Sequence, residues 1–167
     1  MWTVLDEKYD IKYTFLDIDD KLSSEIENDI RESGDQVFRQ SNAKADMTDW
    51  KSTFKSFAAL EEKINQATNK ECIYDNHWGL IYRDGDHAIP HNHRGRGDDD
   101  GAEVLFSFIF YVSTPEGSGE LHFVESDIFV TPQKNMLIIF DSYASHQVFP
   151  NTVSGIERIA TAGNVFF

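Results

Sequence analysis

Three of the six histidines lie in the eight-residue segment 86–93, at His87, His91 and His93. In an extended segment, side chains two positions apart leave the backbone on the same face, so His91 and His93 are expected to point together. Two converging imidazoles suit a borderline or transition metal such as iron, zinc, copper or nickel. His87 shares that face by the same alternation and is a reserve ligand. The pattern predicts half of a metal site, and Pro90 predicts a sheet edge, a bulge or a strand start there.

A His-x-His pair needs a further ligand from elsewhere in the chain, and His146 is the candidate. It follows a strongly apolar predicted strand and opens a short one. In a rolled double sheet, that strand can lie antiparallel to the strand that carries His91, which closes a pocket from the opposite wall. Of the other histidines, His77 is expected at the pocket mouth or in water, and His122 on the surface of a strand.

The elements that must position these histidines change character along the chain. The first 70 residues predict strands over 2–5 and 11–18, a helix capped by Asp19 or Asp20, a polar loop over 33–49 and a helix over 52–69. Short strands separated by turn residues then follow over 72–83, 88–93, 104–113, 119–125, 127–131, 136–141, 145–149 and 156–167. This order predicts one mainly β domain over residues 1–167. Its jelly-roll or barrel core is expected over 71–167, with 1–70 as a strand and helix buttress.

Residues 104–112 are the longest mostly apolar stretch of the chain. Only Ser107 and Tyr111 interrupt it, so both faces of the predicted strand are apolar. Such a strand is expected in the middle of a sheet that is covered on both sides. The stretch is too short to cross a bilayer.

The composition is that of an acidic chain, because 29 Asp and Glu residues stand against 15 Lys and Arg residues, a net charge of -14. Such a field repels nucleic-acid phosphates and anionic membranes, and no cluster of basic residues offsets it. Neither class of partner is expected. The N-terminus lacks the basic start and long apolar run of a signal peptide. Cys72 is the only cysteine, which excludes an internal disulfide. These features predict a soluble, cytoplasmic protein.

Residues 78–164 contain an ordered series of motifs. These are Trp78-Gly79-Leu80-Ile81-Tyr82, Gly85, His91-Asn92-His93, Phe110-Tyr111-Val112, Gly119-Glu120-Leu121, Phe123, His146-Gln147-Val148-Phe149-Pro150-Asn151, Glu157-Arg158-Ile159 and Asn164. In order and spacing they resemble the iron(II)- and 2-oxoglutarate-dependent oxygenases, more narrowly the prolyl-4-hydroxylase-like branch with its small bacterial and phage members. The resemblance implies a double-stranded β-helix of the jelly-roll, cupin-like type. It also implies Fe(II), 2-oxoglutarate and O2 as the reagents.

The resemblance assigns roles to particular residues. His91 matches the first metal ligand and His146 the distal one. Arg158 matches the arginine that pairs with the distal carboxylate of 2-oxoglutarate, a role that suits a planar guanidinium with two parallel N–H donors. Alternation places Ala160 and Ala162 on the face of Arg158, and their small side chains leave room for the cosubstrate.

Tyr82 and Asn164 are two further candidate contacts for the cosubstrate. Each has a simpler alternative, because Tyr82 can be an aromatic core residue and Asn164 a polar strand-end residue. Without the resemblance, Arg158 would be read as one half of a surface salt bridge with Glu157 or another acid. These alternatives remain open at the level of the sequence.

The chain departs from the family where a carboxylate ligand is expected, because His93 stands there. Three arrangements are possible: His93 completes a three-histidine site, an acid from the following loop replaces it, or water joins His91 and His146. The acids in question are Asp98, Asp99, Asp100 and Glu103. We favour His93, because its spacing from His91 places it on the same face. Loss of a carboxylate removes one negative charge, so zinc or nickel could compete with Fe(II).

The resemblance implies a dioxygenase that hydroxylates a protein side chain or a small molecule while 2-oxoglutarate is decarboxylated to succinate. Nothing in the sequence chooses between these substrates. Two other functions are compatible with the same pattern. One is a cupin-like metalloprotein that does not use 2-oxoglutarate, and the other is a non-catalytic scaffold of the same fold.

Overall fold

The computed structural model of the protein describes residues 1–33, 42–93 and 106–166. Within these residues the chain forms two helices, α1 (Asp20–Ser33) and α2 (Lys55–Thr68), and twelve strands. The strands are β1 (Thr3–Asp6), β2 (Ile11–Phe15), β3 (Ala43–Lys44), β4 (Asp46–Met47), β5 (Ile73–Tyr82), β6 (His87–His91), β7 (Phe106–Ser113), β8 (Leu121–Phe123), β9 (Ile128–Val130), β10 (Met136–Asp141), β11 (His146–Val148) and β12 (Arg158–Phe166). Neither helix in this part of the chain is long and apolar enough to cross a membrane.

The strands form two sheets whose inner faces line a common cavity. The larger sheet has the order β1-β2-β10-β7-β12-β5-β4, and the smaller sheet has the order β3-β6-β11-β8-β9. Neighbouring strands pair antiparallel in both sheets. This architecture is the predicted mainly β roll with two helices.

Both helices pack against the outer face of the larger sheet. The carboxylate of Asp19 accepts a hydrogen bond of 2.8 Å from the backbone N–H of Leu22, which confirms the predicted cap of α1. Ile30 on α1 lies so close to β5 that a Cβ atom on Gly79 would be 2.4 Å from its Cγ1. Fully burying one such aliphatic side chain contributes about 1.5–3 kcal/mol. This contact explains why β5 carries a glycine beneath the helix.

Strand β7 lies in the middle of the larger sheet, between β10 and β12, as predicted. Phe108, Phe110 and Val112 belong to the core under the helices. The alternate residues face the other way, and Ile109 and Tyr111 line the cavity between the sheets. Small residues of β12 lie beside them, because Tyr111 pairs with Ala160 and Ile109 with Ala162.

Strands β6 and β11 place His91 directly opposite His146. The next pair in the register is Ala88 with Val148, so β6 contains one more residue than β11 between the two pairs. This extra residue is a β-bulge, and it includes Pro90, which cannot donate a hydrogen bond to the ladder. The bulge that Pro90 predicts is therefore present.

The bulge changes which histidines face the cavity. Ala88, and not His87, lines it, and Nδ1 of His87 lies 3.0 Å from the carbonyl of Gly85 instead. The prediction of His87 as a reserve ligand is therefore wrong, because simple alternation does not continue through a bulge. His93 lies two residues beyond the end of β6, where its backbone N–H donates to the carbonyl of Ser142 over 2.8 Å.

The sequence predicts a loop over 33–49, but the described part of this segment contains β3 and β4. Each has only two residues, which is too short for any periodicity to be visible in the sequence. Pairing with a neighbouring strand in the same sheet defines each of them: Lys44 of β3 lies opposite His87 of β6, and Met47 of β4 lies opposite Leu80 of β5. They bring residues 42–50 to the side of the cavity.

Candidate metal centre and cosubstrate cavity

A cavity of about 300 Å³ lies between the two sheets. Its polar and charged lining comes from both sheets and includes His91, His93, His146, Arg158, Tyr82, Tyr111 and Asn164. Its floor on β12 consists of Ala160 and Ala162, the two small residues that are predicted to leave room there. The cavity therefore joins the predicted metal site and the predicted cosubstrate anchor.

The three histidines meet at one end of this cavity. One imidazole nitrogen from each of His91, His93 and His146 lies within 4.8 Å of the others. His146 is buried, whereas His91 and His93 are half-buried. The ring centroids of His91 and His146 are 4.4 Å apart, and that of His93 is 5.3 Å from His146. The structure thus brings together the three side chains that the sequence selects.

Backbone carbonyls set the tautomers of His91 and His146. Nδ1 of His91 lies 2.7 Å from the carbonyl of Ile89, and Nδ1 of His146 lies 3.0 Å from that of Ala144. A carbonyl oxygen only accepts, so each Nδ1 carries the hydrogen and Nε2 carries the lone pair. Burial holds the pKa of His146 well below its usual value, and the neighbouring imidazoles lower it further. His146 therefore has the neutral form that binds a metal through Nε2, and the carbonyl of Ile89 orients the ring of His91 in the same way.

His93 has side-chain partners instead. Its Nδ1 lies 2.5 Å from Oδ1 of Asn164 and 2.8 Å from Oγ of Ser107. Nδ2 of Asn164 donates to Oδ1 of Asn76 over 2.9 Å. Both polar ends of the Asn164 side chain thus contact protein groups, which differs from the cosubstrate contact that the sequence predicts. Asn76 and Ser107 are not among the predicted site residues.

Arg158 lies toward the opposite end of β12 and is only 1 % exposed. Its Nη1 donates to the carbonyl of Gly119, and its guanidinium carbon lies 4.3 Å from the ring centroid of Tyr82. Its Nη2 has no hydrogen-bond partner, and none of the described carboxylates forms an ion pair with it. Burial lowers the pKa of Arg158, although an arginine keeps its charge at neutral pH. A buried cation with an unmatched donor is costly unless a ligand completes it.

The alternative of a surface salt bridge between Arg158 and Glu157 is wrong. Glu157 contacts Arg31 over 3.0 Å and Arg83 over 2.9 Å, and adjacent strand residues point to opposite faces. The carbonyl of Gly119 reaches Arg158 through close packing, because a Cβ atom at this glycine would lie 1.9 Å from the backbone oxygen of Phe149.

Two tyrosines surround the guanidinium. Tyr82 and Tyr111 both line the cavity and are buried, which raises the pKa of Tyr82 to about 12 and that of Tyr111 still further. Both phenols therefore keep their hydrogens at neutral pH. The ring of Tyr82 packs under Arg158, so its aromatic role and its place beside the predicted anchor coexist. The sequence contained a signal for Tyr111 as a site residue, because Tyr111 and Ser107 are the two polar residues in an otherwise apolar strand.

Other predictions have different outcomes. Asp98, Asp99, Asp100 and Glu103 lie outside the described residues. His77 is buried on the outer face of the larger sheet, where its Nδ1 lies 2.9 Å from Oε1 of Glu61 and its ring stacks on Phe57. Its prediction at the pocket mouth or in water is wrong, because the helix α2 covers that face. His122 stacks on the exposed Phe129 on the outer face of the smaller sheet.

The fold and this cavity define a class of protein, and comparison with known proteins agrees with it. Residues 77–166 match the 2OG-Fe(II) oxygenase superfamily. This match covers more than half of the chain, so the chain belongs to that family. No curated protein matches the chain.

Solved structures of prolyl hydroxylases have the same fold. A viral collagen prolyl hydroxylase from Paramecium bursaria Chlorella virus-1, solved with 2OG, has a TM-score of 0.74 at 18 % identity, covering 98 % of both chains. A prolyl-4-hydroxylase from Pseudomonas putida has a TM-score of 0.67 at 18 % identity, covering 94 % of this chain and 92 % of its own. A Trichoplax adhaerens prolyl hydroxylase, in complex with a hypoxia inducible factor peptide fragment, has a TM-score of 0.65 at 14 % identity, with coverages of 93 % and 83 %. These likenesses confirm the predicted double-stranded β-helix.

The family uses Fe(II) and 2-oxoglutarate, and the residues of the cavity fit both. Three imidazoles at one end offer nitrogen donors of the kind that iron accepts. At the other end a buried guanidinium retains an N–H without a partner, which suits a carboxylate. The predicted oxygenase function and its cofactors are thereby confirmed at the level of the family.

Proposed function

We propose that this oxygenase holds its iron through His91, His93 and His146 and its 2-oxoglutarate through Arg158. The observation that carries the proposal is the unmatched N–H of the buried Arg158, which lines the same cavity as the three histidines. A buried donor without a partner costs about 1–3 kcal/mol. A carboxylate that accepts from Arg158 would recover this cost on binding.

The three histidines would act as neutral donors. Each presents Nε2 when Nδ1 carries the hydrogen, so none of them balances the charge of a divalent metal. One carboxylate of 2-oxoglutarate would lie toward the metal and offset part of its charge, and the other would pair with Arg158. A three-histidine centre would therefore depend more on its cosubstrate for charge balance than a centre with a carboxylate ligand.

The surroundings would orient the cosubstrate. Ala160 and Ala162 leave the floor of the cavity open between Arg158 and the histidines. Apolar side chains of the larger sheet, such as Ile109 and Phe140, line the same space and would exclude water from it. Among these buried, mainly apolar walls, a charge-assisted bond from Arg158 would be stronger than it is in water.

When bound, Fe(II) and 2-oxoglutarate supply the oxidising chemistry: with O2, the cosubstrate is decarboxylated to succinate and CO2 and a substrate C–H bond is hydroxylated. The chain contributes the positions of the reagents. The histidines fix the metal, Arg158 fixes the far end of the cosubstrate, and the apolar walls protect the reaction from water.

The mouth of the cavity indicates an uncharged substrate group. Besides His91 and His93, the described lining residues that remain partly exposed are Asn42, Ala43, Trp50, Asn92, Ile109 and Val148. None of these six carries a charge, and Trp50 packs edge-on against Trp78. We therefore infer that the reacting group is uncharged. The names of the structural relatives direct the first trials to prolyl side chains in peptides, followed by small apolar molecules. A cytoplasmic location without nucleic-acid or membrane partners remains a prediction from the composition.

The test compares Arg158→Ala with Arg83→Ala under anaerobic conditions. Arg83 is a matched control, because it is a half-exposed arginine that pairs with Glu157 outside the cavity. We expect both variants to bind Fe(II) as the wild type does, and only Arg158→Ala to lose affinity for 2-oxoglutarate and succinate formation. Unchanged 2-oxoglutarate affinity in Arg158→Ala would contradict the proposal and would favour the cupin-like metalloprotein that does not use 2-oxoglutarate.

A further inference from the structure

We propose that Asn164 is a positioning residue that decides which nitrogen of His93 carries the hydrogen. The inference rests on the proposed function, in which His93 takes the place of the usual carboxylate ligand. It concerns a buried group of three polar side chains, Asn76, Ser107 and Asn164, which are 6 %, 0 % and 1 % exposed. They come from neighbouring strands, β5, β7 and β12.

One group in this network can act only as a donor. The backbone N–H of Asn164 lies 3.0 Å from one end of the Asn76 side-chain amide. A backbone N–H can only donate, so the amide atom that faces it must be the oxygen, Oδ1. The orientation of the Asn76 amide is thereby fixed without any assumption about a metal.

The same oxygen fixes the next amide. Oδ1 of Asn76 lies 2.9 Å from one end of the Asn164 side chain, and two amide oxygens would repel each other at that distance. The nitrogen of Asn164 therefore points to Asn76, and its oxygen points to His93. This oxygen is 2.5 Å from Nδ1 of His93 and 2.8 Å from Oγ of Ser107.

An amide oxygen only accepts, so Nδ1 of His93 must be the donor and must carry the hydrogen. In the neutral imidazole, Nε2 then carries the lone pair, as a metal ligand requires. The hydroxyl of Ser107 also donates to Asn164, so its oxygen can only accept from His93. The single hydrogen on Nδ1 of His93 is then shared between Oδ1 of Asn164 at 2.5 Å and Oγ of Ser107 at 2.8 Å.

This arrangement differs from that of the other two candidate ligands. His91 and His146 are fixed by the backbone carbonyls two residues before them, Ile89 in β6 and Ala144 in the turn before β11, which a side-chain substitution does not remove. His93 lies beyond its strand and depends on a side chain from a distant part of the chain. A carboxylate ligand needs no such selection, since it has no tautomers. A histidine in its place must have its hydrogen on Nδ1 and its lone pair on Nε2, and Asn164 selects that tautomer.

The variant that tests the inference is Asn164→Leu, with Ser107→Ala as the matched control. Asn164→Leu removes the acceptor and also releases the Ser107 hydroxyl, which can then donate to Nδ1 of His93 and favour the opposite tautomer. Ser107→Ala removes a hydroxyl from the same network but keeps the acceptor. The readouts are the ¹⁵N chemical shifts of the histidine rings in the metal-free protein and the affinity for Co(II) alone.

We expect His93 of the wild type and of Ser107→Ala to carry its hydrogen on Nδ1. In Asn164→Leu we expect that preference to be lost and the affinity for Co(II) to fall about 10- to 100-fold. A wild-type His93 with its hydrogen on Nε2 in the metal-free protein would overturn the inference, even if Asn164→Leu does not fold. A folded Asn164→Leu protein with the wild-type tautomer would overturn it as well.

Failure of the proposed ligand set gives a different result. If His93→Ala binds Co(II) with wild-type affinity, then His93 is not a ligand, and the three-histidine centre fails. The ring ¹⁵N shifts of the metal-free wild type do not depend on that outcome. The two failures are thus read from separate measurements.

Discussion

The two ends of β12 hold buried polar side chains of opposite character. At one end, Arg158 carries a charge, has an N–H without a partner and has no carboxylate beside it among the described residues. At the other end, Asn164 is neutral, and both ends of its side-chain amide are hydrogen-bonded to protein groups. Both residues lie on the inner face of the same strand and line the same cavity.

The difference shows how one strand divides two tasks. A buried cation without an anionic partner lowers the free energy of unfolding, and a ligand that supplies a carboxylate raises it again. A fully hydrogen-bonded network stabilises the fold and holds a neighbouring side chain in one orientation. We interpret Arg158 as the residue that needs a bound carboxylate to satisfy its N–H group. Asn164, in contrast, makes its hydrogen bonds within the protein before any ligand binds.

The largest effect is expected from a substitution that removes the metal end altogether. His146→Ala deletes the buried histidine at the centre of the cluster, and we expect affinity for Fe(II) to fall more than about 100-fold, beyond the effect of a residue that only supports a ligand. Succinate formation should fall below detection. His87→Ala is the control, since His87 lies on β6 but does not line the cavity. Isothermal titration under anaerobic conditions checks the prediction, and equal affinities in the two variants would contradict it.

The proposed cosubstrate contact of Arg158 can be removed without changing any of the three histidines. In Arg158→Met, we expect the iron-loaded protein to be at least as stable as the wild type before cosubstrate is added, because a buried unpaired charge is gone. The wild type should gain about 2.7 kcal/mol in free energy of unfolding at a 2-oxoglutarate concentration of 100 times Kd, and Arg158→Met should gain almost nothing. Chemical denaturation with and without 2-oxoglutarate measures both quantities. An equal gain in the variant would show that Arg158 does not bind the cosubstrate.

A smaller change fills the space between the two ends. Ala162→Leu places a larger side chain on the open floor, and we expect affinity for 2-oxoglutarate to fall about tenfold, or about 1.4 kcal/mol, within the usual cost of overpacking. Fe(II) affinity should stay unchanged, because the metal end is not altered. Titration of the iron-loaded variant with 2-oxoglutarate checks this. Loss of metal and cosubstrate together would mean that the substitution disturbs the whole cavity.

The smallest effect is expected at His77, on the opposite face of the same sheet. Burial lowers the pKa of His77 below its ordinary value of 6.5, although Glu61 opposes the shift. Above about pH 6.5 the folded and unfolded states are both neutral at this residue, and its contribution to stability is complete. As the pH falls below that value, the unfolded state takes up a proton first, so stability decreases by at most about 1.4 kcal/mol per pH unit.

In His77→Phe this part of the pH dependence should disappear, while metal and cosubstrate affinities stay at wild-type values. Urea denaturation of the metal-free proteins between about pH 5 and 7 compares the slopes of the two stability curves, and the other titrating groups cancel in the difference. The same slope in both proteins would contradict the assignment of His77 as a neutral buried histidine.

The positions of many strands could be predicted because they follow from the pattern of apolar residues along the chain. The strand 136–141 coincides with β10, and the apolar run that Ser107 and Tyr111 interrupt is the central strand β7. The pairing of His91 with His146 was also predictable, since a double sheet brings distant strands together. Strands β3 and β4 were not, because two residues cannot show a period. Their pairing with β6 and β5 defines them.

The residues that line the cavity were predictable where a residue type limits its own chemistry, as for the three histidines and Arg158, whose roles stay predictions. The site was not predictable where the function depends on contacts across strands. Asn164 was expected at the cosubstrate, and only the register of β5, β7 and β12 places it between Asn76 and His93. The exclusion of His87 has the same origin, because a bulge changes the facing of residues without leaving a clear pattern in the sequence.

We propose that the three-histidine end and the Arg158 end of the cavity bind Fe(II) and 2-oxoglutarate together. The most direct test is an anaerobic titration of the purified protein with Fe(II) and then 2-oxoglutarate, followed by the visible charge-transfer band of the chelate. We predict a band that saturates with 2-oxoglutarate in the wild type, is absent in His146→Ala, and disappears with formation of succinate when O2 is admitted. Binding of Fe(II) without a band and without affinity for 2-oxoglutarate would contradict the account.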